Sequence, residues 1–255
     1  MPDFTVKEAV NSTFQRLSPG NNSCKAAGVS GEAPPVWTVT GNHTRNLMEL
    51  LPGLDPLLFQ HSCAVCRRVI KESKDHPWSA VLYDLHHYVD WLYTHSIHVA
   101  CISTIILTKS GGDTDAQSKI CLGALLHDIG KLLVPREIIQ KPDKLDKHEI
   151  AIMKRHCELG YEMARKSGLP PDCADIILQH HERMDGSGYP NGMTAERISE
   201  SAKIVMVADA MDAILSYRPY KAAAGVETGI NVLRKEKTKY DPDCVRLLMQ
   251  CLSPP

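Results

Sequence analysis

The chain has almost no net charge: 29 Lys and Arg against 30 Asp and Glu, formally -1 over 255 residues. No global field therefore argues for long nucleic acid or an anionic membrane surface as partner. No unbroken apolar run approaches ~18 residues, which predicts no membrane-spanning helix. The first stretch, MPDFTVKEAVNSTFQRL, has neither the basic nor the apolar segment of a secretory signal, so a cytoplasmic protein is expected. Alternation with period two is nearly absent, which argues against a β-rich fold, and there is no repeat of fixed period. The nine cysteines are an odd number, scattered through helical-looking segments rather than framed by short loops. That pattern fits reduced thiols, not a disulfide scaffold. A 43% hydrophobic and 23% charged composition describes an ordinary globular chain, long enough for one core with a smaller module. The unusual abundance is histidine, at twelve.

Helical signals dominate from Asp55 onward. DPLLFQHSCAVCRRVIKE opens with Asp-Pro and spaces its apolar residues by three and four. HPWSAVLYDLHHYVDWLYTHSIHVACISTIILTKSGG reads as one long helix or two, ending at Gly111-Gly112. TDAQSKICLGALLHDIG reads as a buried helix closed by Gly130 as its C-cap. DKHE, Asp146–Glu149, is a capping box opening a helix through about Lys166. Helices are also expected over PPDCADIILQHH, over ERISESAKIVMVADAMDAILS, and over DPDCVRLLMQCL with Asp241 as N-cap. Residues 1–17 could form a short amphipathic helix, and 18–46 reads as a flexible loop. The expected organisation is an N-terminal region over 1–80 and a second domain over 81–255.

The histidines and acids explain one another. His95, the doublet His127-Asp128, His156, the doublet His180-His181, and Asp209 each lie within or at the end of an apolar helix. An unpaired polar group there would cost several kcal/mol. Any one of them could be a core residue with a single hydrogen bond; seven on five helices point to a metal site. Adjacent helical residues project ~100° apart, so His180 and His181 suit two neighbouring ions better than one dry core. Imidazoles and carboxylates without thiolate suit iron, manganese, nickel or zinc. A short carboxylate such as Asp128 could bridge two ions ~3.5–4 Å apart.

HDIGK, VPREIIQKPDKL, HHERMDGSGYPNG, ADAMDAILSYRPY and YDPDCV, in that order, closely resemble the HD-GYP phosphohydrolases of the HD superfamily, over roughly residues 90–252. The resemblance implies an all-α, multi-helix HD-type bundle with a metal site between helices, preceded by a smaller helical region. It implies hydrolysis of the cyclic dinucleotide cyclic di-GMP to linear pGpG or GMP with two divalent ions, commonly iron or manganese. By motif, His95 is the first ligand, His127 and Asp128 supply the doublet with Asp128 bridging, and His156, His180, His181 and Asp209 complete the set. A metal-bound hydroxide would attack phosphorus, with Asp128 and Lys131 as catalytic residues and Lys131 neutralising charge on the phosphoryl oxygens or leaving group. Arg218 and Lys221 of RPYK resemble the family's phosphate-binding pair, and Arg183 and Tyr189 join them as substrate contacts. Gly186 and Gly188 are expected to take backbone angles closed to other residues.

Members with a third metal carry a glutamate one turn before the first histidine; Trp91 stands there, which favours a two-metal site. His98 replaces a usual arginine and is expected behind His95 rather than as a ligand. Met184 and Asp143 also depart from the family pattern without removing a ligand. In the N-terminal region, the single Cys63-x-x-Cys66 pair reads as helix packing, not zinc, and His86-His87 as a polar helix face. That region or the GYP loop could serve homodimerisation or a regulatory partner. Two other readings stand: a phosphodiesterase for cyclic GMP-AMP, and a cyclic di-GMP receptor with little turnover.

Overall fold

The computed structural model describes residues 47–216 and 224–252, without the side chains of Ala80, Tyr83, His86, His87 and Asp90. The 1–17 helix, the 18–46 loop, the His86-His87 face, Arg218 and Lys221 therefore lie outside the described residues. Among those described there are eleven α-helices from Pro56 onward, a helical stretch over 47–50 and no β-strand, only one isolated bridge between Asp185 and Thr194. The fold is all-α, as the periodicity indicates.

Helix α1 (Pro56–Glu72) starts where Asp-Pro places it, with the Asp55 carboxylate accepting from the Leu57 and Leu58 amides at 2.8 and 3.4 Å. Its buried stripe is Ser62, Cys63, Val65, Cys66, Val69 and Ile70, the spacing of one helix face. Helices α2 (Ser79–Tyr88) and α3 (Asp90–Lys109) resolve the long apolar stretch into two. The break is Val89, extended at φ -148°, ψ 120° and buried against Leu85, Leu92, Val134 and Ile139. Trp91–Lys109 is, by length and composition, apolar enough to cross a membrane, contrary to the expectation of no such segment. Most of that apolar surface, 78% of the window, is buried inside the protein. A helix hydrophobic on all sides is what the middle of a bundle requires, and α3 packs on α1 and on α4, α9 and α11 described next.

Helix α4 (Thr114–Leu126) is capped by Asp113 and ends in His127. A 3-10 turn, Ile129–Leu133, follows, so Gly130 is not a C-cap. Its φ is not positive. A Cβ there would lie 1.9 Å from the His156 carbonyl oxygen and 2.6 Å from the Gly160 amide nitrogen. Glycine is required for close backbone approach. After the short α5 (Arg136–Ile139), the capping box at Asp146 and Glu149 forms as read and opens α6 (Lys147–Lys154). The helix does not run on to Lys166. At Arg155 the amide turns to the carbonyls of Ile152 and Met153, and α7 (His156–Lys166) begins anew with His156 at its first position.

Helix α8 (Pro171–Gln179) ends in His180. Helix α9 (Glu200–Leu215), capped by Ser199, is buried along nearly its whole length. Helices α10 (Val226–Lys235) and α11 (Pro242–Cys251) close the bundle, with Asp241 accepting from the Cys244 amide. One main core runs from Leu47 to Leu252 and includes α1. A satellite core beneath α2, the start of α3 and α5 gathers around Val89 and Val134. Cys63 and Cys66 are buried; the Cys66 sulfur touches Cys121 at 3.4 Å and Cys101 at 3.6 Å, the packing contacts expected of small apolar residues.

Candidate metal centre

Five helices deliver the seven histidines and aspartates to one place. His95 comes from the early part of α3, His127 and Asp128 from the end of α4, and His156 from the start of α7. His180 and His181 close α8, and Asp209 sits mid-way along α9. Candidate ligand atoms fall in two groups, each within 4.8 Å: Asp128, His156, His180 and His181; and His95, His127 and Asp209.

The two aspartates tie these groups together. Asp128 Oδ1 lies 3.3 Å from His156 Nε2 and 3.7 Å from His180 Nε2, while Oδ2 lies 3.3 Å from His127 and 3.7 Å from His95. Asp209 Oδ1 is 3.2 Å from His95 Nε2, and Oδ2 is 3.8 Å from His181 Nδ1. Each carboxylate thus spans both groups, where the sequence suggested bridging for Asp128 alone.

A local device aims the imidazoles. His127 Nδ1 pairs with the Ala124 carbonyl at 2.7 Å, His156 Nδ1 with Met153 at 2.7 Å, and His180 Nδ1 with Ile177 at 2.9 Å. In every case the acceptor is three residues earlier, in the last turn before the histidine. A carbonyl can only accept, so Nδ1 carries the proton and the Nε2 lone pair faces the cluster. His95 is set by a carboxylate instead: Asp212 Oδ2 is 2.6 Å from its Nδ1, and Asp212 Oδ1 is 2.7 Å from His98 Nδ1. His98 therefore stands behind the site, as read.

Burial opposes charge throughout. It pushes His156 down to about 4 and drives His180 and His181 well below the ordinary histidine value, leaving neutral imidazoles. His127 is equally buried, but the charges of Asp128 and Asp209 outweigh that and hold it above the usual range. Burial would raise Asp128 and Asp209 too. Lys131, His127 and His156 overcome it at Asp128, and His95 and His181 at Asp209, so both stay ionised well below the carboxylate range. Cys157, 3.5 Å from His156 Nε2, is kept a thiol by burial and then by the Asp128 charge.

The donor set fits divalent ions. Among the described residues, the buried His127 Nε2 and Asp128 Oδ1 have no hydrogen-bond partner. Leaving such atoms unmet costs ~1–3 kcal/mol each, which a cation at that point removes. Nitrogen and oxygen donors without sulfur suit the harder transition ions.

Lys131 is buried, with Nζ 2.5 Å from Asp128 Oδ2 and 5.9 Å from the Trp91 ring centre. The Tyr189 ring is 4.8 Å from that of His181, and its amide donates to the His181 carbonyl at 3.1 Å. Arg183 Nη1 donates to the Glu182 carbonyl at 2.7 Å, and its guanidinium lies 5.0 Å over the Tyr240 ring. Gly186 takes φ 78° as expected, whereas Gly188 does not have positive φ. A Cβ at Gly188 would come within 2.4 Å of the Glu182 and Arg183 backbone, so close approach requires glycine there.

Asp212 and Glu182 escaped the sequence reading. Each is fully buried. Glu182 accepts from the Asn191 amide at 2.7 Å and the Met193 amide at 2.9 Å, one per carboxylate oxygen. The only signal for Asp212 was a second carboxylate one turn past Asp209 in a helix of Ala, Met and Val. A cavity of about 510 Å³ adjoins the cluster, reaching Lys131, His156, His181 and Asp209. Trp91, Arg183, Tyr189 and Tyr240 also border it.

The HD domain family model matches residues 81–244. A cyclic di-GMP phosphodiesterase response regulator, RpfG, of Xanthomonas campestris is 42% identical over 152 residues, 58% of this chain and 40% of that protein. A 3'3'-cGAMP-specific phosphodiesterase of Vibrio cholerae is 32% identical over 160 residues, 62% of this chain and 35% of that protein. The chain thus spans less than half the length of these curated relatives. Among solved structures, an HDG"Y"P protein from Bdellovibrio bacteriovorus aligns with TM-score 0.57 at 19% identity, covering 96% of this chain and 77% of that one. At that identity the likeness is one of fold.

Proposed function

Because the chain belongs to the HD-domain family, in its HD-GYP branch, we propose that it is a metal-dependent phosphodiesterase that opens cyclic di-GMP to linear pGpG. The observation that carries this reading is the pair of nitrogen–oxygen groups spanned by Asp128 and Asp209, with a cavity adjoining them. Iron or manganese would be held by His95, His127 and Asp209 on one side and by Asp128, His156, His180 and His181 on the other; zinc and nickel suit the same donors. Two such ions supply activation of water and Lewis-acid neutralisation of phosphoryl oxygens.

The chain's own contribution is orientation and charge. Carbonyl-locked imidazoles need no reorganisation to present Nε2. Lys131 holds a buried ammonium at the cavity edge, where negative charge develops on phosphate oxygens in the transition state. Arg183 and Tyr189 border the space a dinucleotide would fill. Arg218 and Lys221 are proposed as further phosphate contacts on the strength of their motif.

A second reading changes one base and keeps the chemistry. The Vibrio cholerae relative named for 3'3'-cGAMP favours it. Chromatography after anaerobic incubation with ferrous or manganous ion separates the possibilities. Accumulating pGpG supports the proposal, and faster cleavage of cyclic GMP-AMP favours the second reading. Bound but intact nucleotide would make the protein a receptor, and neither binding nor turnover would end both readings.

A further inference from the structure

The residues that line the cavity divide by chemistry and by element into two apolar sets, here called walls, and a polar set, here called the floor. One wall is Trp91 with Ile138, Ile139 and Met153, all packed on the satellite core around Val89 and Val134. The other is Ala210, Ile214, Val232 and Tyr240, from α9, α10 and the turn before α11. Each wall carries one aromatic ring with a cation over it: Lys131 at 5.9 Å from the Trp91 ring centre, and Arg183 at 5.0 Å from that of the largely buried Tyr240. Lys131, His156, His181 and Asp209 also border the cavity and make the polar floor.

A cyclic dinucleotide has the complementary layout, an anionic ring of two phosphodiesters flanked by two flat purines. Its phosphates match a floor of cations and metal ligands. Its bases need apolar, preferably aromatic, surface, because a base stacks on a ring face whatever its hydrogen-bonding edge. At about 510 Å³ the cavity falls within the range for a ligand of that size. Resting on the function proposed above, we propose that Trp91 and Tyr240 are substrate-positioning residues of this site, one base stacking on each. Trp91 then has a positive role of its own: it binds substrate where a carboxylate would have bound a cation. Stacking is sequence-tolerant, so the Trp91 wall accepts guanine or adenine.

The test uses the full, metal-loaded chain with Trp37 and Trp78 changed to Phe, which leaves Trp91 as the last of three tryptophans. The slowly hydrolysed bisphosphorothioate analogue of cyclic di-GMP is titrated against Trp91 emission, and saturable quenching is expected. Trp91→Ala and Tyr240→Ala should each weaken analogue binding about tenfold. Each should raise KM at least five times more than it lowers kcat, and Trp91→Phe and Tyr240→Phe should restore most of the loss. Emission indifferent to saturating analogue, or unaltered affinity in Trp91→Ala, overturns the assignment. A parent protein that binds no cyclic dinucleotide sinks the proposed function with it; a parent that binds, with Trp91→Ala binding equally well, sinks the walls alone.

Discussion

Gly130→Ala puts a single methyl group between two halves of the site. Its carbon would start 1.9 Å from the His156 carbonyl oxygen, against a normal carbon–oxygen contact of ~3.3 Å. The 3-10 turn and α7 must therefore separate by about 1.4 Å. Neither side can yield by a rotamer change, because the atoms met are backbone atoms of His156 and Gly160. The same gap is crossed by the 3.3 Å approach of Asp128 Oδ1 to His156 Nε2. Overpacking of this kind costs ~1–3 kcal/mol, or roughly 2–12 °C in Tm for a chain this size. A misplacement of about 1 Å at a catalytic centre costs ~10²-fold in rate. Calorimetry, elemental analysis of bound metal and turnover of cyclic di-GMP would be read together. The control is Gly225→Ala, at ordinary φ -74° with nothing within 4 Å of the added carbon. If the two variants match in Tm, metal content and rate, the backbone contact does not hold the site together.

Asp212→Asn keeps the side-chain shape but removes the charge that fixes His95 and His98. Competition against a chelator should show ~10–100-fold weaker metal retention, and unchanged retention would contradict the role. Lys131→Ala should lower turnover ~10²–10³-fold with metal content preserved; loss of metal in parallel would make it a structural partner of Asp128 instead. The eight described cysteines are all buried, with burial pushing Cys173 up to about 12 and Cys251 up to about 11. A thiol-reactive chromophore at pH 8 should therefore label at most Cys24 quickly in the native chain and all nine cysteines after denaturation. Rapid native labelling of more than one would show that the core opens.

The candidate ligands were legible because metal chemistry leaves few residue types to choose from, and burying seven such groups needs a common cause. The helices were legible wherever caps announce them, as at Asp55, Asp146 and Asp241. What stayed open or failed was whatever long-range packing decides. The apolar stretch around Val89 read as one helix or two, and the helix from Asp146 read on through Arg155, because neither break carries glycine or proline. Val89 is extended because the satellite core buries it there, and the turn at Arg155 sets His156 at the head of a new helix. Gly130 and Gly188 advertised freedom of dihedral angle but were needed for want of a side chain. Asp212 hid because a carboxylate behind a histidine obeys no period. Trp91 and Tyr240 stand 149 positions apart, too far for any window to pair them.

The buried carboxylate of Glu182 has a consequence for how a substrate could be admitted. One oxygen grips the amide of residue 191 and the other that of residue 193, so the far end of the Tyr189 loop is clamped to the residue that follows the paired histidines. The near end is tied by the Met184 amide donating to the Lys239 carbonyl at 3.0 Å, and Tyr189 itself by its amide on the His181 carbonyl. Fastened at both ends, this segment acts as a strut rather than a door. A ligand would meet a rim already in its final shape, so little ordering entropy would be lost there on binding, and selection would depend on fit rather than on closure.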